Sequence, residues 1–146
     1  MELKQIGLVH SPYKTKGSAP RQGKLSEETA TMEIFMDYAD AMKGIERLSH
    51  VIVLYWGDQA NREILQSAPP WQQEELGVFS TRSPNRPNPI AFCVCKIINV
   101  EGRLIQVTGL DALDGSPILD IKGYSTEVDS YPEACSIRTG CHDAKK

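Results

Sequence analysis

The chain has 146 residues, 40% of them hydrophobic and 24% charged, and a formal net charge of −3 at pH 7. Those values describe one globular domain, able to bury about two-thirds of the surface its unfolded chain exposes without disulfide or metal staples. They exclude a protein that binds nucleic acid through bulk positive charge. No run approaches the roughly 18 apolar residues that a membrane span requires. The opening Met1-Glu2-Leu3-Lys4-Gln5 has neither the basic start nor the apolar run of a secretory signal, so a cytoplasmic location is expected.

Along the chain, strand signals dominate. Residues 4–10 alternate Ile6 and Leu8 with small or polar neighbours and stop at Ser11-Pro12. The next stretch, KTKGSAPRQ from Lys14, is basic and full of helix and strand breakers, which predicts a surface loop. Residues 29–36 alternate again, with Met32, Ile34 and Met36 on one face. Asp37 then caps a predicted short helix whose apolar face is Tyr38, Ala39, Ala41 and Met42, and Gly44 stops it. LSHVIVLYW, residues 48–56, is a β-branched and aromatic run of buried-strand length. Residues 58–71 are polar, broken by Pro69-Pro70, and read as an excursion over the surface. Residues 90–100 form a second long strand, Glu101-Gly102 a tight turn, and residues 103–109 the returning strand of a hairpin. A last short strand covers residues 117–121, and an irregular tail follows Val128. Many short strands and one short helix, with no βαβ alternation and no Gly-x-Gly-x-x-Gly, favour an antiparallel barrel or sandwich over a Rossmann-type nucleotide fold.

Three segments carry candidate chemistry. GVFSTRSPNRPNPI, residues 77–90, holds three prolines that fix the backbone and remove three amide donors, so it is neither helix nor central strand. Its two arginines, Arg82 and Arg86, are long cationic forks on a stiff loop. Such an arrangement suits placing a phosphate, a carboxylate or a base edge, although solvated arginines on a rigid connector fit the composition equally. LDALDGSPILDIK, residues 110–122, presents Asp111, Asp114 and Asp120 around a Gly-Ser-Pro turn whose spacing does not match an EF-hand. Lys14, Lys16, Arg21 and Lys24 form the one dense basic run, a candidate for phosphate contact. Cys93 and Cys95, two apart in a strand, point to one face and read as buried small side chains. Cys135, Cys141 and His142 lack paired C-x-x-C spacing, so no metal site is expected.

Taken together and in this order, these segments resemble the TsaA-like (TrmO) family. The match runs over nearly all of residues 4–129 and is supported by Ile6-Gly7, Ser11-Pro12-Tyr13, Pro20-Arg21-Gln22 and Leu48-Ser49-His50. The resemblance implies a single TsaA-like domain over residues 1–146, its core about 4–129, folded as an all-β, single-sheet closed antiparallel β-barrel with one short helix and long loops. It also implies a homodimer that binds S-adenosylmethionine and methylates N6-threonylcarbamoyladenosine beside the tRNA anticodon. Carried over by motif, the cofactor contacts are Pro20, Arg21, Gln22, Asp58, Gln59, Arg82, Phe92, Leu110 and Asp111. For the RNA, Lys14, Lys16, Lys24 and Arg86 are the candidates. Asp58, Ala91-Phe92-Cys93 and Gly123 depart from the family's usual His, Gly-Leu-Ser and Pro. No residue identifies itself as a general base. The alternatives are a non-catalytic binding module that regulates a partner, and methylation of a small molecule.

Overall fold

The computed structural model describes residues 1–19 and 28–140. Among the described residues there are eight strands: β1 (Gly7–His10), β2 (Thr29–Ile34), β3 (His50–Trp56), β4 (Gln66–Ser67), β5 (Leu76–Gly77), β6 (Ile90–Glu101), β7 (Leu104–Thr108) and β8 (Pro117–Gly123). Six of them close into one antiparallel barrel in the order β1-β2-β7-β6-β3-β8, while β4 and β5 form a separate two-stranded ribbon. Closure removes the exposed edges that an open sheet would present.

The core follows strand alternation, but β1 takes the phase opposite to the Ile6 and Leu8 face its sequence suggests, with Gly7 and Val9 buried and Leu8 only half-buried. Val9, Met32, Ile34, Val51, Val53, Cys93, Cys95, Ile105, Val107 and Ile118 all point inward and are buried. Met36 does not join them, because pairing of β2 ends at Ile34, and it is 72% exposed. Gly7 is required by close approach: a Cβ there would collide with the Glu33 carbonyl oxygen across the strand pair.

Several boundaries differ from the sequence reading. The predicted short helix is a 3-10 segment, Met36–Met42, in which Asp37 lies in the first turn without capping it. Tyr38 and Met42 pack on the core as expected, whereas Ala41 is exposed. The hairpin turn sits one residue later than predicted: Glu101 and Leu104 pair, and Gly102-Arg103 connects them. Gly102 has φ +59°, the left-handed conformation a two-residue hairpin demands at its first position. The ribbon β4–β5 and the single α-helical turn α1 (Thr126–Asp129) are additions that local pattern did not announce.

Strand direction decides where the site can be. With every barrel neighbour antiparallel, the connections 11–28, 57–89 and 109–116 all emerge at one end. The 3-10 segments of residues 36–47 and the β6–β7 hairpin occupy the other. The 77–90 segment, the 110–116 turn and, from the described part of the basic run, Lys14 and Lys16 therefore lie at a single mouth of the barrel.

Candidate functional site

The connection 109–116 closes that mouth. Gly109 leaves β7 with φ +89°, and Leu110 and Ala112 then insert into the core, 2% and 0% exposed. Between those anchors, Asp111 Oδ1 accepts hydrogen bonds from the Tyr55 hydroxyl of β3 at 2.6 Å and the Cys93 thiol of β6 at 2.9 Å. Burial and the neighbouring Asp111 carboxylate push the Tyr55 hydroxyl far above its ordinary range. A hydrogen bond with Cys95, then burial, then Asp111 push the Cys93 thiol up likewise. Both stay protonated at neutral pH, so both are donors, and Cys93 is no thiolate nucleophile. Asp114 serves the loop itself: the Ser11 backbone amide at 2.9 Å and Lys14 at 3.1 Å hold its carboxyl below the usual range. Asp120 bonds its own strand and Lys122, outside this cluster. Among the described residues, no group of three His, Cys, Asp or Glu side chains gathers to hold a metal.

The 77–90 loop is rigid through its own hydrogen bonds as well as its prolines. The Arg86 guanidinium donates to the carbonyls of Val78, Thr81 and Ser83 at 2.9, 3.2 and 3.1 Å. The fork of Arg86, a candidate RNA contact in the sequence, is thus turned onto its own loop. Arg62 stacks over Trp56 at 5.1 Å and donates to Pro87 O and Asn88 Oδ1, while Asn85 Oδ1 accepts from the Asn61 amide. The 57–63 and 81–89 segments are thereby stitched into one body.

Arg82 behaves differently. Its guanidinium lies 5.3 Å from the centre of the Phe92 ring, exposed, and among the described residues none of its N–H donors is engaged. Phe92 is itself 44% exposed on the outer wall of β6, whereas Cys93 beside it faces inward. Arg82–Phe92 and Asp111 thus flank the rim at the start of β6 from opposite sides of the wall, with no hydrogen bond or ion pair between Arg82 and Asp111.

The remaining sequence candidates fall as follows. Asp58 and Gln59 are exposed just past the end of β3, and the Gln59 carbonyl meets Lys16 Nζ at 3.5 Å. Leu110 has its side chain in the core, so only its main chain can meet a ligand. Lys14 and Lys16 are exposed on the β1–β2 connection. Pro20, Arg21, Gln22 and Lys24, with Cys141 and His142, lie outside the described residues. His50, bonded to Ser49 Oγ at 2.8 Å, stands at the far end of the barrel, as does an open cleft of about 520 Å³ lined by Met42, Ile45 and Val100. Sequence reasoning missed Tyr55 and Arg62. The available signal for Tyr55 was its phase: it follows Val51 and Val53 on the inward face, and a buried phenol needs a partner.

Residues 8–130 match the model of the tRNA-methyltransferase O N-terminal domain. The chain belongs to that family. An S-adenosyl-L-methionine-binding protein of Archaeoglobus fulgidus is 55% identical over 129 residues, covering 88% of this chain and 93% of the relative. A second, longer protein of that organism, described as a probable S-adenosyl-L-methionine-binding protein, is 51% identical over 134 residues, or 92% of this chain and 37% of the relative. The tRNA (adenine(37)-N6)-methyltransferase of Mus musculus is 34% identical over 94% of this chain, which spans 33% of that protein. A crystal structure of TrmO from Pseudomonas aeruginosa superposes with a TM-score of 0.77 at 32% identity, covering 93% of this chain and 61% of that one. The single closed barrel expected from the resemblance is the fold observed. The chain spans only about a third to two-thirds of several of these relatives.

Proposed function

We propose that the barrel mouth binds S-adenosylmethionine and that the chain transfers its methyl group to N6 of N6-threonylcarbamoyladenosine beside the tRNA anticodon. The observation that carries the reading is Arg82: a cation held by stacking on a rigid loop, with none of its N–H donors engaged among the described residues. The donor set suits the cofactor, which presents a carboxylate for the Arg82 fork, an ammonium and ribose hydroxyls for Asp111, and an adenine ring for Phe92. When bound, it supplies an electrophilic methyl carbon on a sulfonium. The chain's part is to hold the acceptor nitrogen in line with the methyl–sulfur bond, and positioning of this kind contributes on the order of 7–11 kcal/mol. As the new N–C bond forms, the N6 proton is released and the thioether product leaves. Among the described residues, no histidine or thiolate joins Arg82, Phe92 and Asp111; His10, at the mouth end of β1, is hydrogen bonded to Glu33 at 2.9 Å.

The anticodon loop is single-stranded at its target, so exposing one base costs little. Lys14 and Lys16, with Lys24 and Arg21, supply the positive charge. A tRNA substrate would place the chain in the cytoplasm. The homodimer implied by the resemblance belongs to the same reading, and exposed Ile90 on the outer wall of β6 offers apolar surface for it.

Incubation with methyl-labelled cofactor and total tRNA tests the proposal. Label in N6-methylated threonylcarbamoyladenosine is expected. Cofactor binding by calorimetry without label transfer would favour the regulatory binding module instead, a reading supported by the relatives described only as binding proteins. Arg82→Ala is expected to weaken cofactor binding by roughly 1.5–3 kcal/mol while leaving the melting temperature unchanged. An unaltered dissociation constant would remove Arg82 from the site. Replacing Lys14, Lys16 and Lys24 by Gln is expected to leave cofactor binding intact and to flatten the salt dependence of tRNA binding, by up to about 0.7 for each phosphate no longer neutralised.

A further inference from the structure

The proposed cofactor contact at Asp111 raises a question that the loop alone does not answer. An aspartate on a surface connection ordinarily samples several rotamers, and fixing one on binding costs affinity. Here the backbone is already pinned on both sides by Leu110 and Ala112, which are 2% and 0% exposed. The carboxylate is pinned as well. Tyr55 and Cys93 come from adjacent barrel strands, with Val53 paired to Cys93 and Tyr55 to Ala91, so their side chains lie on one face two positions apart. Both donate to the same oxygen, Oδ1, at 2.6 and 2.9 Å. The other oxygen, Oδ2, receives no hydrogen bond from any described residue.

Resting on the cofactor-binding reading above, we propose that Tyr55 and Cys93 are positioning residues: together they hold the Asp111 carboxylate in one orientation, saturating Oδ1 and reserving Oδ2 for the ligand's ammonium or ribose hydroxyl. Two donors on one oxygen are more than a structural carboxylate needs, because either alone would satisfy Oδ1. Their convergence removes the rotation by which the two oxygens would exchange. The barrel wall thereby acts on the ligand through Asp111, while neither Tyr55 nor Cys93 touches it.

Among the described residues, the titratable groups against Asp111 are Tyr55 from β3 and Cys93 from β6, with Cys95 beside Cys93; Lys14 and His10 act on Asp114 instead. Freeing that rotation lowers affinity for the ligand, and a side chain that restores a donor must restore it, whereas a loss of packing alone would not respond to the donor.

The experiment measures S-adenosylmethionine affinity by calorimetry for the full chain and for Tyr55→Phe, Cys93→Ala and Cys93→Ser, each first checked by thermal melting. Tyr55→Phe and Cys93→Ala are each expected to bind about tenfold more weakly. Cys93→Ser, which restores a donor, is expected to recover wild-type affinity. Should Tyr55→Phe not fold, the Cys93→Ala and Cys93→Ser pair decides. Wild-type affinity in every variant would overturn the positioning role and leave cofactor binding standing. A wild-type chain that binds no cofactor at all would overturn the functional reading and this inference with it.

Discussion

Arg86→Ala is expected to abolish measurable cofactor binding and to lower the melting temperature, in contrast to Arg82→Ala, which should affect binding alone. The two arginines are four residues apart on one loop but do opposite things. Arg86 gives three hydrogen bonds to carbonyls of its own loop, at 2.9–3.2 Å. A hydrogen bond from a charged donor contributes about 1.5–3 kcal/mol, and three on one side chain are not additive. A total near 3 kcal/mol is a reasonable scale for the loss. The three prolines restrict the backbone of the loop and Thr81 donates to Val78 O and accepts from the Ser83 amide, but Arg86 adds three bonds to that same turn, which carries Arg82 over Phe92. Arg86→Lys is not expected to rescue, since an ammonium is a point charge and lacks the planar fork that spans separated carbonyls. Calorimetry and a thermal melt on the same sample provide the check. Wild-type binding and melting would show that the prolines suffice and that the hydrogen bonds are incidental.

Met32→Ala is expected to cost about 2–5 kcal/mol of stability, enough to threaten the fold of a chain this size. Met32 has no exposed surface and sits mid-strand in β2, paired to Val9 on one side and Ile105 on the other. A closed barrel has no edge that can slide inward to fill the void, so the cavity term should be near its upper range. Met32→Leu conserves volume and should cost less than about 1.5 kcal/mol. Urea titration of the three proteins measures both differences. A Met32→Ala protein within about 1 kcal/mol of wild type would mean the interior relaxes more freely than its packing suggests.

The parts of this fold that depend on side-chain period were legible in the sequence. The inward residues of β2 follow from alternation, β3 and β6 from apolar runs of strand length, and the placement of Cys93 with Cys95 on one buried face from their spacing. What period cannot encode is which strands become neighbours. Nothing local to Tyr55 says that β3 lies beside β6, so its convergence with Cys93 on Asp111 depends on the topology and not on any local signal. Arg86 illustrates a second limit. Composition identifies a cation on a stiff loop, but whether its donors turn to solvent or to the loop's own carbonyls depends on the local path of a few peptide planes. The 3-10 segment at Met36–Met42 reads as an ordinary capped helix for a similar reason. Seven residues between the end of β2 and Gly44 satisfy a helical pattern, while i to i+3 bonds such as Tyr38 N to Phe35 O decide the tighter winding.

The direction of β8 has a practical consequence. Because β8 starts at the mouth with Pro117 and runs to Gly123 at the far end, whatever follows departs on the side away from the loops. Tyr124 indeed lies against His50, at that far end, with ring centres 6.3 Å apart. A strand of seven residues spans about 23 Å at roughly 3.3 Å per residue. A label attached at position 124 therefore sits at the end of the barrel away from the mouth. Such a label should leave the 57–89 and 109–116 connections open to a bulky, structured ligand.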